Sequence, residues 1–212
     1  MKRTVTALFT LGCLATARPL AAQAWRALEL SAGATAARFR STAPGNAGAS
    51  SGVVAGGDGR ILIGPVSLHG WYLEGRLAPD TGTTTRDLVD AGLLLAVRPT
   101  PWAVLAAGPH LRAYVLPAGT ERWVLWEGRA RVEESIIAGT VRAHVELRAA
   151  ISGTVNGQKA DAARGGEAGI TARFPRSLLW ARLTYTIDHA QLVPSGTETL
   201  EGVTLTVGLG GR

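Results

Sequence analysis

The stretch Val141-Arg142-Ala143-His144-Val145-Glu146-Leu147-Arg148-Ala149-Ala150-Ile151-Ser152 decides the fold. Apolar residues take every odd position, and Arg, His or Glu takes four of the even ones. Side chains in a β-strand point alternately to opposite faces, so the segment has one oily wall and one charged wall. Two architectures accept such a strand. A soluble sheet turns the oily wall inward against a core. A closed sheet in lipid turns it outward and keeps the charge inside.

The same alternation recurs along the chain, and it predicts ten strands. The first, Trp25 to Phe39, sets Leu28, Leu30, Ala32, Ala34 and Ala36 against Glu29, Ser31, Gly33 and Thr35. The second ends at Arg60-Ile61-Leu62-Ile63-Gly64, before a reversal at Pro65. The third, Val66 to Ala78, sets Tyr72, Glu74 and Arg76 against Trp71, Leu73 and Leu77. Val89, Ala91, Leu93, Leu95 and Val97 form the oily face of the fourth. The fifth, Trp102 to Leu116, carries His110, Arg112 and Tyr114 on its polar side. The sixth sets Val124, Trp126, Gly128, Ala130 and Val132 against Glu127, Arg129, Arg131 and Glu133. After the seventh come Glu167 to Phe174, then Ala181 to Asp188, then Gly202 to Leu209.

The spaces between strands have their own rhythm. Polar, Gly-rich segments at Arg40–Gly52, from Pro79 onward, at Pro117–Gly119, at Gly153–Gly166 and at Ala190–Thr199 are predicted to be longer loops. Tight turns fall near Pro65, Pro99, Gly139 and Pro175. The two kinds alternate, which puts all longer loops at one end of the sheet.

The first 24 residues are predicted to be a cleaved signal peptide. Lys2 and Arg3 precede an uncharged, mostly apolar run from Val5 to Ala17. Ala22-Gln23-Ala24 then offers a small-x-small cleavage site. The run is too short to span a bilayer as a helix. Cys13, the only cysteine, lies inside it. Cleavage removes Lys2, Arg3 and Arg18 and no acid, so the net charge falls from +6 to +3. The basic charge then argues little for nucleic-acid binding, and no nucleic-acid partner is expected. The mature chain, 25–212, then forms one domain without disulfide or thiolate chemistry.

Alternating strands, loop rhythm and export signal together make the chain resemble the small bacterial outer-membrane β-barrels of eight to ten strands. The resemblance covers the whole mature chain. It implies an all-β, closed, antiparallel up-and-down transmembrane barrel, with ten strands expected and eight as the alternative. It also implies Sec export, residence in the bacterial outer membrane as a monomer, and partners in membrane lipid and the barrel-assembly machinery. Such barrels often end in an aromatic residue, whereas this sequence ends Leu209-Gly210-Gly211-Arg212. Any assembly signal is then expected within Val203 to Leu209.

With oily faces outward, the charged faces meet in the lumen. Glu29, Glu74, Glu127, Glu133, Glu146 and Asp188 are expected to pair there with Arg76, Arg112, Arg129, Arg131, Arg142, Arg148 and Arg182, with His144 in the same network. Unpaired charge away from water is costly, so Arg–carboxylate pairing is expected. Trp25, Phe39, Trp102, Trp123, Phe174 and Trp180 lie near strand ends and are expected to form membrane-interface belts. No catalytic residue, metal site or cofactor is expected. Adjacent Asp188 and His189 should point to opposite faces, and no dense His/Cys cluster appears. The function expected is a structural barrel or narrow passive pore with an Arg/Glu lumen. The alternatives are a soluble periplasmic barrel binding an apolar ligand, and a barrel enzyme acting on lipid or peptide at the outer rim.

Overall fold

The computed structural model describes residues 28–43, 46–81, 84–116, 119–192 and 196–210. The expected signal peptide and Trp25 lie outside the described residues. Ten antiparallel strands close on themselves: β1 (Leu28–Ala43), β2 (Asn46–Ile63), β3 (Val66–Pro79), β4 (Arg86–Thr100), β5 (Ala103–Leu116), β6 (Gly119–Ile137), β7 (Val141–Val155), β8 (Gln158–Arg173), β9 (Leu179–Leu192) and β10 (Gly196–Gly210). Each strand pairs with its sequence neighbours, and β1 closes on β10 from Ser31↔Gly210 to Thr42↔Thr199. Closure leaves no free sheet edge, the condition for a sheet to sit in hydrocarbon.

Which wall faces out is settled in β7. Val145 and Leu147 are 55% and 65% exposed, while Glu146 and Arg148, which alternate with them, are buried. The same sense holds around the barrel. Leu30, Leu93, Leu95, Val132, Leu183, Val203, Leu205 and Val207 are all exposed. The soluble-barrel alternative requires apolar faces inward, and this placement overturns it. So wide an apolar exterior suits lipid far better than water.

The loop rhythm needs correction. Gly153–Gly166 is not a loop. β7 runs to Val155, β8 starts at Gln158, and Asn156-Gly157 alone makes the turn, with φ of 53° and 79°. Positive φ at both central residues matches the right-handed strand twist, and Asn-Gly is the pair that tolerates it best. Arg40–Gly52 likewise becomes the paired ends of β1 and β2, from Arg40↔Ala49 to Ala43↔Asn46. Ala190–Leu192 and Gly196–Thr199 also become strand. The longest connection at this end of the barrel is residues 80–85. These segments have no apolar period, yet the ladder hydrogen bonds carry them past the apolar band. Strands of 14–19 residues result, against the roughly 9–11 that a tilted strand needs to cross lipid.

The founding alternation also resets once. Trp126 faces Ser152 and Glu127 faces Ala150, leaving Ile151 as the extra residue of a β-bulge. Ile151 and Ser152 are therefore both exposed, and Gly153 and Val155 turn inward.

Candidate functional site: the barrel lumen

Three tiers of side chains fill the lumen. The distal end is the one where β1 leads to β2, β3 to β4, β5 to β6, β7 to β8 and β9 to β10. The end carrying both described termini, Leu28 and Gly210, is called the termini end. Beneath the distal hairpins lies an apolar cluster that includes Phe39, Val54, Leu77, Leu88, Tyr114, Trp123, Val155, Leu192 and Leu200. Leu77 and Val155 have no exposed surface. Phe39 meets Tyr114 edge-on, with centroids 6.5 Å apart. At its margin, Trp123 Nε1 donates to Glu198 Oε1 at 3.0 Å, and Asn156 Nδ2 donates to Glu198 Oε2 at 3.2 Å.

Below it runs an ionic belt. Asp188 accepts from Arg112 Nη1 at 2.8 Å and from Arg148 Nε at 2.7 Å. Arg112 Nε reaches on to Asp90 Oδ2 at 2.7 Å, and Trp71 Nε1 donates to Asp90 Oδ1 at 2.6 Å. His110 lies between Asp90 at 3.3 Å and Glu127 at 3.4 Å. Arg129 Nε donates to Glu127 at 2.6 Å, while its Nη1 reaches Glu146 at 3.3 Å. The Arg129 guanidinium also lies over the Trp71 ring, 4.7 Å from its centroid. His144 pairs with Glu167 at 2.9 Å. Each buried charge of this belt thus has an opposite partner, as low-dielectric burial demands.

The third tier lies in a cavity of about 570 Å³ that also extends past the belt residues Asp90, His110, Arg112, Arg129 and Arg148. Its lining reaches Glu29, Leu62, Arg98, Val104, Glu133, Arg142, Arg173 and Gly210, all near strand ends at the termini end. In the other direction it stops under Phe39, Val54 and Leu88. In it, Glu133 gathers Arg131 at 2.7 Å, Arg142 at 3.6 Å and Arg98 at 3.8 Å. Arg131 Nε is at ion-pair distance from Glu133 but off the N–H direction. Glu29 lies 3.9 Å from Arg60.

Of the expected lumen residues, Glu29, Arg112, Glu127, Arg129, Arg131, Glu133, Arg142, His144, Glu146, Arg148, Arg182 and Asp188 sit on inward-facing positions. Glu74 and Arg76 do not. They share the outer face of β3 with Tyr72, whose hydroxyl donates to Glu74 at 2.6 Å, and Arg76 pairs with exposed Asp87 at 2.9 Å. The face assignment of β3 is therefore reversed. Glu74 and Arg76 lie in the distal half of β3, where the strand outruns the apolar band, so charge can face outward into water.

Three expected interface aromatics also turn inward. Phe39, Trp123 and Trp180 are buried. Phe39 lies over its paired residue Gly202, and Trp180 over its paired residue Gly208. Trp71 over Gly92 and His144 over Gly169 repeat the arrangement. A flat ring laid across a residue with no Cβ fills the gap that the glycine leaves. Trp123 is held instead by Glu198. Trp102 and Phe174 are exposed beside tight turns at the termini end. Tyr72, Trp126 and Tyr185 are further exterior rings that the expected interface set does not name. Each stands seven residues from the distal end of its strand. Their place on the apolar side of the alternation was the available signal for Trp126 and Tyr185.

The site reading also omitted Asp58, His69, Trp71, Asp90 and Glu167. Asp90 interrupts the apolar run Leu88-Val89-Asp90-Ala91 on the face that also carries Arg86 and Arg98, and that was its signal. Asp188 and His189 face opposite ways: Asp188 bridges the two arginines inside, while His189 Nδ1 meets Thr199 Oγ1 at 3.0 Å on the outer face. Among the described residues no group of three or more His, Cys, Asp or Glu side chains is placed to hold a metal ion.

No family model and no curated protein sequence matches the chain. Solved structures do. The translocator domain of the autotransporter NalP from Neisseria meningitidis aligns over 86% of this chain and 88% of that one, with TM-score 0.51 and 12% identity. The outer membrane protease OmpT from Escherichia coli aligns over 86% and 94%, with TM-score 0.46 and 8% identity. The outer membrane channel DcaP of Acinetobacter baumannii aligns over 74% of this chain, with TM-score 0.40 and 8% identity, and this chain spans about half (51%) of that one. At such identities the likeness is one of fold. The chain has the fold of the bacterial outer-membrane β-barrels, as a closed ten-stranded member.

Proposed function

We propose that the protein is a sealed outer-membrane barrel with a structural role, rather than an open passive pore. After Sec export and cleavage behind Ala24, it would be inserted by the barrel-assembly machinery and reside in outer-membrane lipid as a monomer. Trp102 and Phe174 would mark the periplasmic interface, and the inward charges would be its lumen network. The observation that carries the reading is the apolar tier under the distal hairpins. Ten strands lie between the filled eight-stranded barrels and the open porins, so the filling of the lumen decides. Here that filling includes fully buried Leu77 and Val155. Water and ions would have to cross packed hydrocarbon to pass.

Planar-bilayer recording of the purified barrel tests this. The expected trace is silent at all applied voltages, for the wild type and for Arg142→Ala alike. A steady ohmic conductance of the wild type would overturn the sealed reading. An enzyme at the outer rim finds no support in the geometry, because Asp188 and His189 cannot act on one substrate from opposite sides of the wall.

A further inference from the structure

We propose that the termini-end cavity is a binding site for a small polyvalent oxyanion of the phosphate type. The inference rests on the sealed-barrel reading for the closed end of the cavity and for the compartment from which the ligand enters. Three observations support it. First, the cavity is blind: it opens toward the termini end and stops under the apolar tier, so a solute that enters is held rather than passed. Its volume of about 570 Å³ falls within the roughly 300–1,000 Å³ of small-molecule sites.

Second, its cations outnumber its anions. Arg60, Arg98, Arg131, Arg142 and Arg182 line it below the belt, against Glu29, Asp58 and Glu133. The belt carboxylates above are already engaged, Glu146 chiefly by Arg129 and Glu167 by His144. Glu133 is shared by three arginines, of which Arg131 also reaches Glu146 at 3.9 Å. Third, Arg182 lacks a carboxylate. It donates through Nε to Thr171 at 3.1 Å and lies 5.3 Å from the centroid of the Trp180 ring. Among the described residues it forms no salt bridge, although it lines the cavity. A guanidinium offers its donors in a planar fork that matches phosphate oxygens two at a time. Several such forks around one cavity suit a ligand carrying two or more negative charges.

The test is calorimetric titration of the folded barrel in non-ionic detergent at low salt. Pyrophosphate and short-chain phosphatidic acid are run as separate arms, so that a free phosphate and a lipid headgroup can be told apart. Saturable binding in either arm is expected. Arg182→Gln and Arg142→Gln should each weaken it by about tenfold, the usual weight of one charge-assisted contact. Arg40→Gln, on the outer wall, should leave it unchanged. Glu133→Gln should tighten it several-fold, because it releases three arginines to the ligand. Heat-modifiable migration on gels shows that each variant is folded. No heat in either arm, equal affinity of wild type and Arg182→Gln, or weaker binding by Glu133→Gln would each overturn the proposal. Bilayer silence tests the seal and calorimetry tests the site, so either can fail alone.

Discussion

Removal of the Asp188 carboxylate should be the most damaging single change in the ionic belt. Asp188, Arg112 and Arg148 are each less than 10% exposed. Asp188 is the only salt-bridge partner of Arg148 among the described residues, whereas Arg112 keeps Asp90 at 2.7 Å. Asp188→Ala therefore strands one buried guanidinium outright and half-strands another. Leaving a buried charge without its partner costs about 3–5 kcal/mol. Because Arg148 borders the cavity, entering water should soften the loss to about 3 kcal/mol, the low end of that range. Arg76→Ala breaks an ion pair whose side chains are 71% and 50% exposed, and should leave stability close to that of the wild type, because solvent screens such pairs. Adding Arg148→Met to Asp188→Ala removes the stranded charge and should restore about half of the loss. Equilibrium guanidinium unfolding in lipid vesicles, followed by tryptophan fluorescence, measures all three. If Asp188→Ala costs no more than Arg76→Ala, or if Arg148→Met deepens the damage, the account of the belt as mutually compensated buried charge is wrong.

Three further outcomes follow from the wall and its turns. Leu147→Arg places a cation on the outer face at a 65% exposed position and should cost about 2–4 kcal/mol in vesicles if that position lies near mid-membrane, whereas the same protein in detergent micelles should lose less; vesicle and micelle unfolding curves check the difference. Gly208→Ala sets a methyl against the Trp180 ring and should cost about 1–3 kcal/mol, as small-to-large changes in packed interiors do, with a changed near-UV circular dichroism band as its signature. Gly157→Ala meets open space but keeps φ at 79°, so it should cost only about 1 kcal/mol and leave that band unchanged; a larger loss would mean the turn does more than reverse the chain.

The architecture was legible because lipid imposes one rule on every strand that crosses it. Val141 to Ala150, Val89 to Val97 and Val203 to Leu209 all obey the rule, and its recurrence along the chain marks the ten strands of the wall. The distal hairpins were not legible as strand. Segments such as Ala47-Gly48-Ala49-Ser50-Ser51 carry no apolar period, because above the membrane neither face has to be oily. The bulge at Ile151 left no trace in the sequence, since apolar Ile151 fits the alternation as well as its predecessors do. The lumen was half legible. Charge marked the faces of β5, β6, β7 and β9, but the cross-barrel partners were not readable, because Arg112–Asp188 joins strands distant in the wall.

The reversal of β3 shows why charge is an ambiguous guide to the inside of such a barrel. A charged side chain on a crossing strand states only that it avoids hydrocarbon. Two places satisfy that condition: the lumen, and the outer wall beyond the apolar band. Glu74 and Arg76 take the second, next to Tyr72, while Leu73 and Leu77 on the same strand point inward to help fill the lumen. The same ambiguity applies to the aromatics. Phe39, Trp123 and Trp180 stand near strand ends as belt residues would, yet they fill the lumen, two of them over glycines. What separates the cases is the neighbour across the ladder. A ring paired with a glycine on the inner face has somewhere to lie, and a carboxylate opposite a solvent-facing arginine needs no lumen to be neutralised. Register therefore carries information that the alternation alone lacks. The lumen of this barrel is set by which residues face each other, tier by tier, as much as by which residues face in.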